Sequence, residues 1–213
     1  MTKISIRQIQ DQEMLDVLYS LTQYSLHPSP PFEDKEKWEE NVRGRKGVTC
    51  FATFENEKPV SVAVSTAMTQ NIRGKLYPAS GVWGVSTDPS GRRKGYCKKT
   101  IASLLKADKN AGNVFSNLYP FRESFYERMG YVAFPLTKIA KFSPVSITPT
   151  LKLELDGEIE LKLIGEAYEI YREYLSNMRN SQHGMAIFDV GALSTANRNR
   201  LWVATARFKG EIE

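Results

Sequence analysis

With 41% hydrophobic and 25% charged positions over 213 residues, the chain has the composition of a globular protein with one sizeable core, or one domain and a smaller second unit, and long disorder is excluded. Its apolar runs are short and broken by serines, far from the roughly 18 residues of a membrane span, and the opening MTKISIRQ lacks the apolar region of a signal peptide, so a cytoplasmic protein is expected. Two histidines and two cysteines exclude a histidine-rich metal centre and leave little material for a Ser-His-Asp triad, while the net charge of +5 calls for a location before it has a meaning.

In chain order, Ile4, Ile6 and Ile9 predict a first strand, and Asp11 is placed to cap a helix on which Met14, Leu15, Leu18 and Leu21 share a face. The prolines of HPSPPF, residues 27–32, exclude helix there and predict a loop. A short charged helix over 34–43 follows, with Trp38 and Val42 inward. Val48 to Phe54 and VSVAVSTAM, separated by ENEKP, predict a β-hairpin; residues 69–78 read as less ordered, and Gly81 to Ser86 as a third apolar strand. Asp88 to Gly91 forms a turn into a helix whose Cys97, Ile101, Leu104 and Leu105 line one side. Val114 to Leu118 reads as strand, Arg122 to Met129 as short helix and Gly130 to Leu136 as strand. The order predicts a mixed α/β (α+β) layer rather than an all-β sandwich. A proline-spaced linker over 141–149 precedes a smaller unit over 150–213: a hairpin about Asp156-Gly157, a helix from Gly165 to Met178 and a strand from Leu201 to Phe208. Cys50 and Cys97 are expected as buried thiols, with one disulfide as the alternative.

Much of the charge falls in one place. Between Gly91 and Asn110 stand Arg92, Arg93, Lys94, Lys98, Lys99, Lys106 and Lys109 against the single Asp108. In VWGVSTDPSGRRKGYCKKTIASLL a strand ends, the chain turns, and Arg92 to Cys97 opens a helix. First-turn N–H groups lack intrahelical acceptors and converge on a point suited to a phosphate, and Gly95 permits close backbone approach. The same residues also fit a plain solvated basic helix start. Neither GxGxxG nor GxxxxGK[ST] is present, which removes support for a dinucleotide fold or an NTP-hydrolysing loop. The cations lack interleaved aromatics, so nucleic acid is not expected as a partner.

The run from Val85 to Leu105 resembles motif A of the GNAT N-acetyltransferase superfamily: Arg92 takes its first place, Gly95 the glycine place and Cys97 the small-residue place. LYPFRESFYERMGY, residues 118–131, is similar to a passage of the Eis-like (enhanced intracellular survival) branch, and HGMAIFD and LWVATARF resemble the start of that branch's second acetyltransferase-like domain, which implies a shortened or truncated member. The resemblance implies a GNAT acyl-CoA fold over residues 1–140 with a partial second GNAT-like domain, and acetyl transfer from acetyl-CoA to a primary amine on a polyamine-like or aminoglycoside-like small molecule or a protein lysine. It places the acyl and pantetheine groups along the backbone of Trp83, Gly84 and Val85, with the Val85 N–H at the oxyanion. It seats the diphosphate on Arg92, Arg93, Lys94, Gly95, Tyr96, Cys97 and Lys98. Tyr126 matches the family's general acid, although its aromatic neighbours Phe121, Phe125 and Tyr131 also fit a packed core. In the family a C-terminal carboxylate assists the base step, but in a shortened chain Glu213 is not assigned that place; Glu123 and Glu127 are local substitutes by proximity only, and exposed helix acids explain them more simply. Asp16, Glu33, Asp34, Glu36, Glu39 and Glu40 stand in the early helices that border the acceptor cleft, or form an ordinary solvated face. A homo-oligomer is compatible with the family. The alternative is a CoA-binding or scaffold module with weak or no turnover.

Overall fold

The computed structural model describes residues 2–26, 34–134, 139–152, 156–189 and 199–212. Its elements are β1 (Ile4–Ile9), α1 (Asp11–Leu26), α2 (Lys35–Arg43), β2 (Val48–Glu55), β3 (Lys58–Ile72), β4 (Lys75–Thr87), α3 (Tyr96–Asn110), β5 (Phe115–Leu118), α4 (Glu123–Glu127), β6 (Glu158–Leu163), α5 (Ile164–Ser181), β7 (Ala186–Phe188), β8 (Trp202–Phe208) and β9 (Glu211–Ile212). Strands β1 to β5 lie in chain order in one mixed sheet, antiparallel except for the parallel pair β4–β5, and β7 pairs with β3. A second sheet has the order β6-β8-β9. This is the mixed α/β architecture expected, with helices on both faces of the larger sheet.

Alternation along the strands separates two cores. On one face, Leu18 and Leu21 of α1 pack with Cys50, Ala52, Phe54, Val62 and Val64, and Trp38 of α2 and Trp83 close its margin. On the other, Ile101 and Leu104 of α3 cover Ala63 and Val82, joined by Tyr126. The helical spacing of these leucines and isoleucines is what brings each helix down on its apolar stripe. Helix α2 starts where Asp34 accepts hydrogen bonds from the Glu36 and Lys37 N–H groups. Both cysteines are free, Cys50 buried and Cys97 partly so.

Several local expectations change. Residues 69–78 are not loosely ordered: β3 and β4 run on to a two-residue turn, Arg73-Gly74, in which both residues have positive φ (53° and 82°), the geometry that suits a tight hairpin. The polar residues there are buried because distant chain needs them. Asn71 Nδ2 donates to the carbonyls of Arg179 (2.7 Å) and Asn180 (2.8 Å) at the end of α5, and Gln70 Nε2 donates to Gly184 (3.1 Å). The HGMAIFD segment supplies β7, which pairs with Met68 to Gln70 of β3. Residues 131–134 form no strand, and 135–138 lie outside the described residues. Strand β6 pairs with β8, not across Asp156-Gly157; residues 144–152 form a 3-10 turn, and the remainder of that expected hairpin, 153–155, lies outside the described residues. The linker before it is exposed. Helix α5 packs under one face of β6–β8, while Ile159, Leu161 and Trp202 stand exposed on the other. Among the described residues no helix is long and apolar enough to cross a membrane.

Candidate functional site

The site is built where β4 loses its regular pairing on both sides. On the β3 side, Val62 pairs with Ser86 and Val64 with Trp83, so Ala63 alone faces both Gly84 and Val85. That is a β-bulge, and Gly84 takes it at a φ of 61°, where a side chain would be strained. On the β5 side, pairing runs only from Ala79–Phe115 to Val82–Leu118, and among the described residues no strand pairs with β4 beyond it. Trp83, Gly84 and Val85 thus form a re-aimed stretch of backbone at an opening in the sheet.

Beyond β4, Asp88 accepts from Ser90 N–H (2.9 Å) and starts a short 3-10 turn, Pro89–Gly91. The chain then alternates in hand: Arg92 is extended, while Arg93 (φ 62°) and Gly95 (φ 80°) are left-handed. Left-handed residues interleaved in a turn gather successive N–H groups into a concavity that favours anions. Helix α3 begins at Tyr96, later than the expected opening at Arg92, and Gly95 caps it without a side chain. The first α3-entry donor with a main-chain acceptor is Lys99 N–H, on the Gly95 carbonyl at 3.2 Å; the N–H groups of Arg93 to Lys98 have none among the described residues. A Cβ built at Gly95 meets nothing within 4 Å, so the space before those donors is open. The donor set and the space fit a diphosphate.

The cations divide. Lys94 is held by Glu55 (Nζ to Oε2 2.9 Å), which also accepts from the Tyr96 hydroxyl at 3.2 Å, and the Lys94 bond keeps the Glu55 carboxyl below its ordinary range. Arg92 instead lies over the ring of Tyr24 on α1, 5.7 Å from its centroid, and neither it nor Arg93 has an acid partner among the described residues.

Tyr126 stands on the α3 side of the opening, 5% exposed and edge-on to Phe121, Phe125 and Tyr131 at 5.7, 5.1 and 5.9 Å. Burial, followed by the nearness of Cys97 and Tyr131, pushes its hydroxyl up to about 12, so it is a protonated phenol at neutral pH. Cys97, in the first turn of α3, is likewise raised by burial. Glu123 and Glu127 are exposed on α4, and Glu213 lies outside the described residues.

On the α1 face the expected acids are largely engaged. Asp16 is bonded to Lys35 at 2.6 Å, Glu39 pairs with Lys35 (3.6 Å) and Arg43 (3.3 Å), and Asp34 caps α2. Glu36 and Glu40 are exposed, and Glu33 lies outside the described residues. A cavity of about 610 Å³ at the far end of α3, between Ser80, Asp108 and Val114, contains none of the expected site residues. No cluster of three metal-ligating side chains occurs among the described residues. The bulge is absent from the sequence reading, although a glycine inside an apolar strand, VWGVS, is its usual signal. Glu55 left no comparable signal, since its partners lie about forty positions away.

Residues 5–134 match the model of the acetyltransferase (GNAT) domain family. No curated protein matches the chain. A conserved protein of unknown function from Enterococcus faecalis V583, described as a probable N-acyltransferase, superposes with a TM-score of 0.66 at 18% identity, covering 100% of this chain and 57% of its own. The chain therefore spans little more than half of that structure's length. A putative acetyltransferase from Agrobacterium tumefaciens C58 gives 0.52 at 24% identity, covering 65% of this chain and 99% of its own. The aminoglycoside N-acetyltransferase AAC(6')-Iy in complex with CoA gives 0.54 at 17%, covering 67% and 96%. At such identities these structures speak for the fold, whereas the family match takes in the sheet from β1 to β5, the bulge, the turn before α3 and Tyr126: the chain belongs to the GNAT acetyltransferase domain family.

Proposed function

We propose that the chain is an acetyl-CoA-dependent N-acetyltransferase of the Eis-like kind, working in the cytoplasm on a primary amine. Residues 1–140 form its catalytic unit, 141–149 a connection and 150–213 a partial second unit. The observation that carries the reading is the run of unsatisfied N–H groups from Arg93 to Lys98, opening onto free space beside a bulged strand. Those donors would hold the diphosphate with Arg92 and Arg93, and the edge of Trp83 to Val85 would hold the pantetheine arm.

Acetyl-CoA supplies an acyl group on a thioester; the chain's task is to align it and manage charge and protons. The Val85 N–H donates to the carbonyl oxygen as negative charge grows there. As the amine nitrogen bonds to the carbonyl carbon and the carbon–sulfur bond breaks, Tyr126 gives its proton to the departing sulfur, the amine gives up one proton to solvent or a carboxylate, and Tyr126 is reprotonated from solvent to complete the cycle. Glu123 and Glu127 are solvent-exposed acids of α4, and among the described residues neither side chain is hydrogen-bonded to Tyr126.

Calorimetric titration of the folded protein with acetyl-CoA is the direct test, with micromolar-range binding expected; absence of binding overturns the proposal. A CoA-binding module without turnover is favoured by one feature, the near-complete burial of Tyr126. Thiol release over an amine panel separates the two, since the module binds acetyl-CoA and releases none.

A further inference from the structure

On the α1 face of β4, one residue before the bulge, Trp83 donates its indole N–H to Thr66 Oγ1 at 2.8 Å and carries the Arg45 guanidinium 4.3 Å from its ring centroid. Arg45 follows α2 and precedes β2, and it differs from Arg7, Lys35 and Arg43, which are paired with acids on this face. Arg7 is fixed by Glu13, Lys35 by Asp16 and Glu39, and Arg43 by Glu39. Arg45 has neither a carboxylate partner nor a side-chain hydrogen-bond acceptor among the described residues. The surrounding protein disfavours its charge, since crowding lowers its pKa with no compensating anion, yet the residue remains exposed. A planar guanidinium resting on an aromatic face keeps N–H donors in a fixed fork that matches a carboxylate or phosphate. Charge complementarity on this face also argues against a polycation, because Asp16 and Glu39 are already neutralised by Lys35 and Arg43.

We propose that Arg45, held on Trp83, binds an anionic group of the acceptor, so that the amine acetylated belongs to a molecule also bearing a carboxylate or a phosphate. This rests on the transferase reading and names the acceptor class for that same site. Arg45 is a specificity residue here; it handles no proton of the reaction.

The test uses amines in pairs that differ by the anion: lysine against cadaverine, O-phosphoethanolamine against ethanolamine, and glucosamine 6-phosphate against glucosamine. At saturating acetyl-CoA, the anionic member of at least one pair should show kcat/KM at least tenfold above its partner, and the pair that responds distinguishes carboxylate from phosphate. Arg45→Gln should abolish that preference through KM for the amine, leaving KM for acetyl-CoA unchanged, and Arg45→Lys should restore part of it. Equal or better rates for the anion-free members, or a preference that survives Arg45→Gln, overturns the proposal. If acetyl-CoA binds but no amine is turned over, the transferase reading fails separately, and calorimetry of the same pairs on the CoA-loaded protein then decides: anion-dependent, Arg45-dependent binding upholds the anion site, and its absence overturns it.

Discussion

Gly84 and Leu18 meet where α1 crosses the bulge of β4: a Cβ built at Gly84 would stand 3.1 Å from Leu18 Cδ1, and Leu18 is fully buried. Gly84 also sits at a φ of 61°. Gly84→Ala therefore combines left-handed strain with overpacking, and a loss of about 2 kcal/mol in folding stability is expected from chemical denaturation. Acetyl transfer should fall as well, since straightening the bulge turns the Val85 N–H away.

Gly95 presents the opposite balance. Its φ of 80° disfavours any side chain, but no atom of the protein lies within 4 Å of the added Cβ. Gly95→Ala should cost only about 1 kcal/mol in stability. Gly95→Val should leave a folded protein whose acetyl-CoA affinity drops at least tenfold, because the branch fills the space before the Arg93–Lys98 donors. Calorimetry beside a thermal melt separates the two effects.

What was legible in the sequence follows from the range of the interactions. The helix faces of Leu15–Leu18–Leu21 and Cys97–Ile101–Leu104 and the first hairpin are local patterns, and they are found in place. The polar stretch Thr69 to Asn71 reads as loose because polarity in a strand normally means solvent. Here Gln70 and Asn71 are buried against Gly184, Arg179 and Asn180, more than a hundred positions away. The turn before α3 announced itself through Arg92-Arg93-Lys94-Gly95, but composition does not reveal that Lys94 is tied to Glu55 while Arg92 is free of any acid. Arg45 and Trp83 are thirty-eight positions apart in an unremarkable context, so only folding brings them together.

Stability should decline at alkaline pH. Burial pushes the Cys50 thiol from 9.0 to about 12 and the Tyr126 hydroxyl from 10.0 to about 12. Above pH 9 the unfolded chain releases protons that the folded chain retains, so the slope of stability against pH is negative. The contribution is fully present below pH 9 and is lost as pH rises toward 12. For Cys50 alone it is on the order of a few kcal/mol. Denaturation midpoints measured from pH 7 to 11 should show this decline, and Cys50→Ala should make it shallower above pH 9 without abolishing it, because the raised Cys97 thiol and Tyr126 still contribute.

Tyr126→Phe tests the proton donor without emptying the core, because the ring keeps its contacts with Phe121, Phe125 and Tyr131. The expected result is a fall in kcat of about 10²-fold or more with acetyl-CoA affinity retained. A pH–rate profile adds a second readout. With its hydroxyl raised to about 12, Tyr126 stays protonated through pH 10, so no loss of rate from its ionisation should be seen below that pH. Unchanged turnover in Tyr126→Phe rejects the role.

Arg92 and Lys94 are neighbours in sequence with different expected weights in cofactor binding. Lys94 spends its charge on Glu55 at 2.9 Å, an exposed pair of the kind that contributes little to stability. Lys94→Ala should therefore alter acetyl-CoA affinity less than twofold. Arg92, resting on Tyr24 without an acid, is available to a diphosphate. Arg92→Glu should weaken acetyl-CoA binding at least tenfold by replacing attraction with repulsion beside the same N–H groups. The difference between the two variants should shrink as salt is raised from 50 to about 500 mM, since exposed charges are screened over shorter distances. Glu55→Gln completes the comparison: releasing Lys94 toward the turn should tighten acetyl-CoA binding at low salt, and Lys94→Ala in that background should now cost affinity that it did not cost before.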